Sequence, residues 1–272
     1  MSLNKSTISR LAKDVKYLLK NPLDSENIFY KHDENNILKG YALIIGHQNT
    51  PYEFGFYFFQ FDFPENYPFS PPIVTYLTND GKMRYNPNLY INGKVCLSLL
   101  NTWNGEGWTS CQSIYSILLS LSTILNSNPL LNEPGIKENN NNIYNYNLLL
   151  NYKNIEFSII KQYNYLKNNL KNNSKNNSKN NSKNNSLINN SKSLSRKYNN
   201  IEVNYFDTIN LFEKEIINNI INNYTSIKNN LENLYLKMEN IKEIYISVYN
   251  INEKIDMEKL KKKFSLLKID NI

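Results

Sequence analysis

The run Tyr52–Phe63 constrains this chain more than any other segment, because aromatic side chains recur on both of its faces. Read as a strand, it puts Tyr52, Phe54, Phe56 and Phe58 on one side and Tyr57, Phe59, Phe61 and Phe63 on the other. A strand that is apolar on both sides must be covered on both. The spacing therefore predicts a helix over one face and later chain over the other. Runs at 37–46 and 73–78 have the same strand character, so the three segments are expected to form an antiparallel meander. Ahead of them, Ile8, Leu11, Val15 and Leu18 recur at helical spacing and Pro22 follows, which predicts a first helix ending near Lys20. After Trp108, Ile114, Ile117, Leu118, Leu121 and Leu125 mark a central buried helix. Thr109 or Ser110 is its expected cap, which would set Cys111 in its first turn.

The chain has 272 residues and a formal net charge of +7, but the charge is uneven. Through Glu138 there are 11 Lys/Arg against 12 Asp/Glu, and beyond it 20 against 12. The basicity belongs to the second half, where lysine is diluted by asparagine, so it does not point to nucleic-acid binding. Two cysteines, Cys96 and Cys111, signal no disulfide framework and favour a reducing compartment, cytoplasmic or nuclear. The N-terminus lacks the apolar core of a signal peptide and no apolar span reaches membrane-crossing length. Neither a metal nor an organic cofactor is expected. Residues 171–186 are four copies of Lys-Asn-Asn-Ser with nothing to bury. They read as part of a disordered linker over 168–200.

Beyond the linker, Ile220, Tyr224, Ile227, Leu231, Leu234, Met238, Ile241, Tyr245 and Val248 alternate spacings of four and three. Two readings stay open. The stretch 220–248 is a heptad seam for a coiled-coil partner or self-association, or it belongs to a terminal hairpin that folds back on the domain.

The chemistry-bearing segment is Asn86-Pro87-Asn88-Leu89-Tyr90-Ile91-Asn92-Gly93-Lys94-Val95-Cys96, with Trp103 and Trp108 after it. Upstream lie Tyr52-Glu53, Gly55 and the stiff loop Tyr67-Pro68-Phe69-Ser70-Pro71-Pro72. The pattern resembles ubiquitin-conjugating enzymes: a Pro-Asn pair, eight residues from that Asn to a Cys, then a Trp. The resemblance spans roughly 7–166. Most members have His-Pro-Asn where this chain has Asn86-Pro87-Asn88. That form, with Gly93-Lys94-Val95-Cys96 and Asn132-Glu133-Pro134-Gly135, is similar to the large members related to the giant inhibitor-of-apoptosis ubiquitin-conjugating protein.

The resemblance implies an α+β fold with a four-stranded antiparallel meander flanked by helices (UBC-like). A catalytic domain over 6–167, the linker, and a helical, partly disordered extension over 201–272 follow from the pattern. It implies a thioester of ubiquitin or a related modifier on Cys96, taken from an activating enzyme and passed to a ligase or a substrate lysine. A thioester is activated yet exchangeable, where a serine ester would be too inert. Asn88 is the candidate donor to the oxyanion, acting directly or by holding the loop, Asn86 a brace for the loop, and Glu133 an acidic gate. Phe69, if exposed, is a candidate partner contact, and so is Trp108, although a tryptophan there is more often a core aromatic packed beside the active-site loop. A cis Tyr67-Pro68 bond is also implied. Cys96 is expected to be open to solvent. A thiol protease is disfavoured, since neither His32 nor His47 sits in a recognisable motif. The alternative is an inactive variant that only binds ubiquitin or a partner.

Overall fold

The computed structural model describes residues 4–177, 196–198, 201–203 and 205–267. Helix α1, Lys5–Lys20, starts where the Asn4 side chain accepts a hydrogen bond from the Ser6 amide at 3.0 Å. It buries Leu11 and Leu18, and Thr7 ties it to the proline loop by donating to the carbonyls of Glu65 and Tyr67. Four antiparallel strands follow in chain order: β1 Ile28–His32, β2 Lys39–Ile45, β3 Phe56–Asp62 and β4 Ile73–Tyr76. The register pairs Leu43 with Phe58, Ala42 with Phe59 and Phe61 with Val74. The meander thus has one more strand than the three apolar runs indicate. The Tyr67-Pro68 bond is cis.

Both faces of β3 are covered, as its aromatic pattern requires. The strand is shorter than the aromatic run, because Phe54 sits at φ +61° and the chain turns before Phe56, so Tyr52 packs on Tyr57 at 5.3 Å and not on the Phe58 side where simple alternation puts it. On the Tyr57 face, Tyr57, Phe59 and Phe61 are fully buried, and the Tyr57 hydroxyl donates to Asn154 of the downstream chain. On the other, Phe58 meets Tyr205 and Phe212 at 6.1 and 6.0 Å. The second cover is supplied by chain nearly 150 residues downstream of the strand.

The central helix α2, Ile114–Ile124, buries Ile114, Ile117, Leu118 and Leu121, but it begins later than the cap residues suggested. Its cap is Ser113, in a capping box with Ser116. The cause is Arg10 of α1, which donates to the carbonyls of Ser110 and Gln112. Residues Thr109–Gln112 close a turn of their own instead. Cys111 therefore lies outside the helix and is exposed.

Helix α3, Asn142–Lys153, passes through a π-helical stretch, Asn154–Lys161, into α4, Gln162–Asn177. Asn154 anchors that stretch: it accepts from the Tyr57 hydroxyl at 2.6 Å and donates to the Glu53 carbonyl at 2.8 Å. Helix α4 thus enters the first Lys-Asn-Asn-Ser copies. The rest of the expected linker lies outside the described residues, apart from the short hairpin of β5, Arg196–Tyr198, and β6, Ile201–Val203.

The chain then forms α5, Tyr205–Leu211, α6, Glu213–Met238, a hairpin of β7, Glu243–Ile246, and β8, Ile251–Lys254, and α7, Met257–Ser265. The seam expected to capture a partner faces this chain's own fold. Ile220, Ile227, Leu231, Leu234 and Met238 are each at most 2% exposed, and Tyr224 stacks on Phe264 of α7 at 5.3 Å. Nor does the heptad continue to 248. Past Met238 the period changes to two, with Ile244 and Ile246 buried and Glu243 and Tyr245 exposed, and the backbone pairs as strand. The fold-back reading holds, and the coiled-coil reading of 220–248 does not.

Candidate active site

The segment between β4 and α2 is irregular, and its shape comes from side-chain hydrogen bonds. Asn92 accepts from the Lys94 amide, and Gly93 turns the chain at φ +88°, where a Cβ would meet Thr75 at 2.9 Å. The Gly93 carbonyl then accepts from the Tyr76 amide at 2.8 Å, fastening the turn to β4.

Asn86 is fully buried and makes three hydrogen bonds. Its Nδ2 donates to the Tyr52 hydroxyl at 2.8 Å and to the Ile124 carbonyl at 2.7 Å, and its Oδ1 accepts from the Asn88 amide at 2.8 Å. One carboxamide thus joins the aromatic core, the C-terminal end of α2 and the active-site loop. The Tyr52 hydroxyl donates in turn to the Tyr85 carbonyl at 2.7 Å.

Asn88 and Cys96 are bound to each other twice. The Cys96 amide donates to the Asn88 carbonyl at 2.8 Å, and Asn88 Nδ2 donates to the Cys96 carbonyl at 2.8 Å. Asn88 Oδ1 is buried and has no hydrogen-bond partner. The carboxamide is therefore held by one replaceable bond, with its donor end toward the Cys96 backbone.

The expectation of an open thiol is overturned, because Cys96 is 1% exposed. Val95 and Leu100 are buried, and Thr102 clasps the strand end by donating to the Val95 carbonyl at 2.7 Å and accepting from the Leu97 amide at 2.9 Å. Cys111, by contrast, is exposed.

The two histidines are engaged elsewhere. His32 lies between the Tyr30 hydroxyl and the Ile37 carbonyl, each 2.8 Å away, and His47 Nε2 is 2.6 Å from Ser122 Oγ. Because a carbonyl can only accept, His32 carries its proton on Nε2 and accepts from Tyr30 at Nδ1. Burial holds its pKa below the usual histidine value. Among the described residues no group of three or more His, Cys, Asp or Glu side chains is placed to hold a metal ion.

Glu133 makes its contacts with residues that the sequence did not single out. Its Oε2 accepts from the Tyr249 hydroxyl at 2.5 Å and lies 3.9 Å from the Arg84 guanidinium. Arg84 sits over the rings of Tyr90, at 3.9 Å, and Tyr249, at 4.8 Å, and donates to the Pro87 carbonyl. Burial first, and then the bond to Glu133, push the Tyr249 hydroxyl well above the usual tyrosine pKa. A signal for Arg84 was present, since it is the sole arginine between Arg10 and Arg196 and stands two residues before Asn86. Tyr249 had none.

Phe69 projects from the proline loop at 75% exposure. Trp108 is half-buried, donates from Nε1 to the Pro68 carbonyl at 2.7 Å and tilts against Tyr67 at 5.9 Å. It fastens the proline loop, while Phe69 is left free to meet another surface.

The family model of the ubiquitin-conjugating enzyme matches residues 10–156. Ubiquitin-conjugating enzyme E2 Z of Xenopus tropicalis is 37% identical over 155 residues, covering 56% of this chain and 49% of that protein. The protein of the same name from Homo sapiens is 39% identical over 153 residues, covering 55% and 43%. A crystal structure of ubiquitin conjugating enzyme E2 from Plasmodium falciparum is 32% identical and covers 44% of this chain and 97% of that one, with a TM-score of 0.38. The chain spans about half the length of the E2 Z proteins it matches. Since the family model takes in more than half of its residues, from α1 into the π-helical stretch, this chain belongs to the ubiquitin-conjugating enzyme family.

Proposed function

We propose that this chain takes ubiquitin, or a ubiquitin-like modifier, from an activating enzyme as a Cys96 thioester and delivers it to a substrate lysine or a ligase. The observation that carries the reading is the carboxamide of Asn88, held 2.8 Å from the Cys96 backbone by a loop that Asn86 braces. Within the family, the Asn86-Pro87-Asn88 form and Asn132-Glu133-Pro134-Gly135 support a place beside the large members related to the giant inhibitor-of-apoptosis protein. The catalytic unit is assigned to 6–167, the linker to 168–200 and the extension to 201–272.

In the loading step the Cys96 thiolate attacks the carbonyl carbon of the incoming thioester. A new S–C bond forms, and the activating enzyme's sulfur leaves as thiolate. In the discharge step a neutral lysine amine attacks the same carbon, a C–N bond forms, the C–S bond breaks to return the Cys96 sulfur as thiolate, and the proton shed by the nitrogen passes to water or to that thiolate. Between attack and departure the carbonyl oxygen carries negative charge. Asn88 Nδ2 can serve it by exchanging its bond to the Cys96 carbonyl for one to the oxyanion. Glu133 is assigned to the incoming amine, whose proton must go before it can attack. Exposed Phe69 is assigned to the activating enzyme or ligase. Loading requires the enclosed thiol to be uncovered, so the chain packed around Cys96 must shift.

The test is incubation of the full chain with activating enzyme, ATP and a panel of purified modifiers. A thiol-labile adduct is expected, lost in Cys96→Ala and retained in Cys111→Ala. Asn88→Ala should still load but discharge to free lysine about 10²–10³-fold more slowly. If no modifier loads the intact chain, the binding-only alternative replaces this reading.

A further inference from the structure

We propose that Tyr249, in the C-terminal extension, is a positioning residue for the active-site loop, acting through Arg84. The inference rests on the thioester reading above and adds a component from outside the catalytic unit.

Asn88 is fixed from two sides. On the inner side Asn86 accepts its backbone amide. On the outer side the Arg84 guanidinium donates to the carbonyl of Pro87, the other half of the same Pro87-Asn88 peptide. A guanidinium left to itself would sample many rotamers, and here three contacts restrain it. The ring of Tyr90 lies on it at 3.9 Å, the ring of Tyr249 at 4.8 Å, and the Glu133 carboxylate at 3.9 Å. The Arg84 backbone is also held, its carbonyl accepting from the Tyr146 hydroxyl at 2.7 Å. Of these restraints Tyr249 alone comes from the extension, and its hydroxyl fixes Glu133 as well.

Tyr249 is itself rigidly placed. It ends a short turn, Ser247–Tyr249, between β7 and β8. That turn is pinned to the start of α3, where Asn142 Oδ1 accepts from the Ser247 amide at 3.0 Å and its hydroxyl at 3.1 Å. Strand β8 is held by Glu253 on the buried ammonium of Lys153, 2.5 Å away. The hairpin is thereby fixed to the catalytic unit at both ends, and Tyr249 is delivered to Arg84 from a firm base.

The two half-reactions should feel this clamp unequally. Exchange between thioesters uses a strong sulfur nucleophile and is nearly thermoneutral, so it leans little on an exact oxyanion donor. Attack by an amine is harder and depends on the placement of Asn88.

The experiment compares loading by activating enzyme with single-turnover discharge to free lysine, using the full chain. For Tyr249→Ala the expected result is loading within about twofold of the parent and discharge slowed at least about tenfold. Tyr249→Phe keeps the ring on Arg84 and should restore discharge to within about threefold. Arg84→Met removes the outer tether and changes no residue of the extension, so it should reproduce the split if Tyr249→Ala fails to fold. Equal losses of loading and discharge would show a structural role only. Unchanged discharge, faster discharge, or a Tyr249→Phe as slow as Tyr249→Ala would each overturn the proposal. Failure of the parent chain to load would instead sink the thioester reading beneath it.

Discussion

If the extension and the catalytic unit share one core, removing Phe212 should destabilise residues far from it in sequence. Phe212 is fully buried and packs against Phe58 of β3, which is equally buried. Truncation to alanine removes the ring and leaves a cavity between sheet and helix, a change that costs about 3–5 kcal/mol in a close-packed core. The Lys31 ammonium 4.9 Å from the ring adds little, because that side chain is partly in water. At roughly 2–4 °C per kcal/mol for a domain of this size, the midpoint should fall by about 6–20 °C. The assay is thermal or urea unfolding followed by tryptophan fluorescence. Both tryptophans, Trp103 and Trp108, lie in the catalytic unit and none lies in the extension, so the signal reports on the far side of the contact. Leu236→Ala is the matched control. It lies near the far end of α6, the helix that Phe212 caps, and is 72% exposed, so the cost should stay within about 0.5 kcal/mol. An unchanged tryptophan midpoint in Phe212→Ala, with helix lost separately by circular dichroism, would show that the extension folds as an independent unit and refute the shared core.

Two further outcomes follow from the same coordinates. With a disulfide-exchange reagent the native chain should release one fast equivalent from exposed Cys111 and a slow one from Cys96, and denaturant should make both fast. Two fast equivalents in the native chain would mean the thiol is not enclosed. His32 gives a pH dependence whose sign follows from its lowered pKa: the unfolded chain takes up the proton near the ordinary value of 6.5, and the folded chain resists it. Stability should therefore decline as pH falls through 6.5, and His32→Gln should flatten that decline in pH-resolved urea titrations. An unaltered pH profile in the variant would remove His32 as its source.

Local patterns were legible where one segment decides its own structure. Helix α1 ends at the predicted Lys20 because Pro22 follows and Asn21 closes the last turn, its amide and its side chain both donating to the Tyr17 carbonyl. The double-faced aromatic run required cover on both sides, and Phe56–Phe59 and Phe61 are fully buried, although Tyr52 left the strand and changed sides. Asn86, Asn88 and Cys96 come together because ten residues of chain folded around a tight turn leave them few alternatives. Strand β1 escaped notice because Ile28 is its only buried residue, so five residues show no alternation. The start of α2 escaped because Arg10, about 100 residues away, takes the carbonyls that a longer helix would have used. In the extension, a four-three spacing continued through Tyr245 and Val248 while the backbone beneath it changed from helix to hairpin.

The arrival of Tyr249 at Arg84 has a cause that no motif spacing can express. A motif fixes which groups can react, since it sets distances of a few bonds along one strand of chain. Restraint depends on what else packs there, and here that includes a residue 116 positions beyond Glu133. The chain places Arg84 between the rings of Tyr90 and Tyr249, one from the loop it steadies and one from the extension. That division makes the tether on Pro87 conditional on the docking of β7 and β8. The loop's inner brace, Asn86, draws every partner from within the catalytic unit, and so would persist if the hairpin were displaced. Separation of the two braces is why loss of Tyr249 is expected to slow discharge without abolishing the loop's fold, whereas loss of Asn86 would deprive the hydroxyl of Tyr52 of its donor, leave the Ile124 carbonyl with only the longer bond from Asn132 at 3.5 Å, and disturb the core itself.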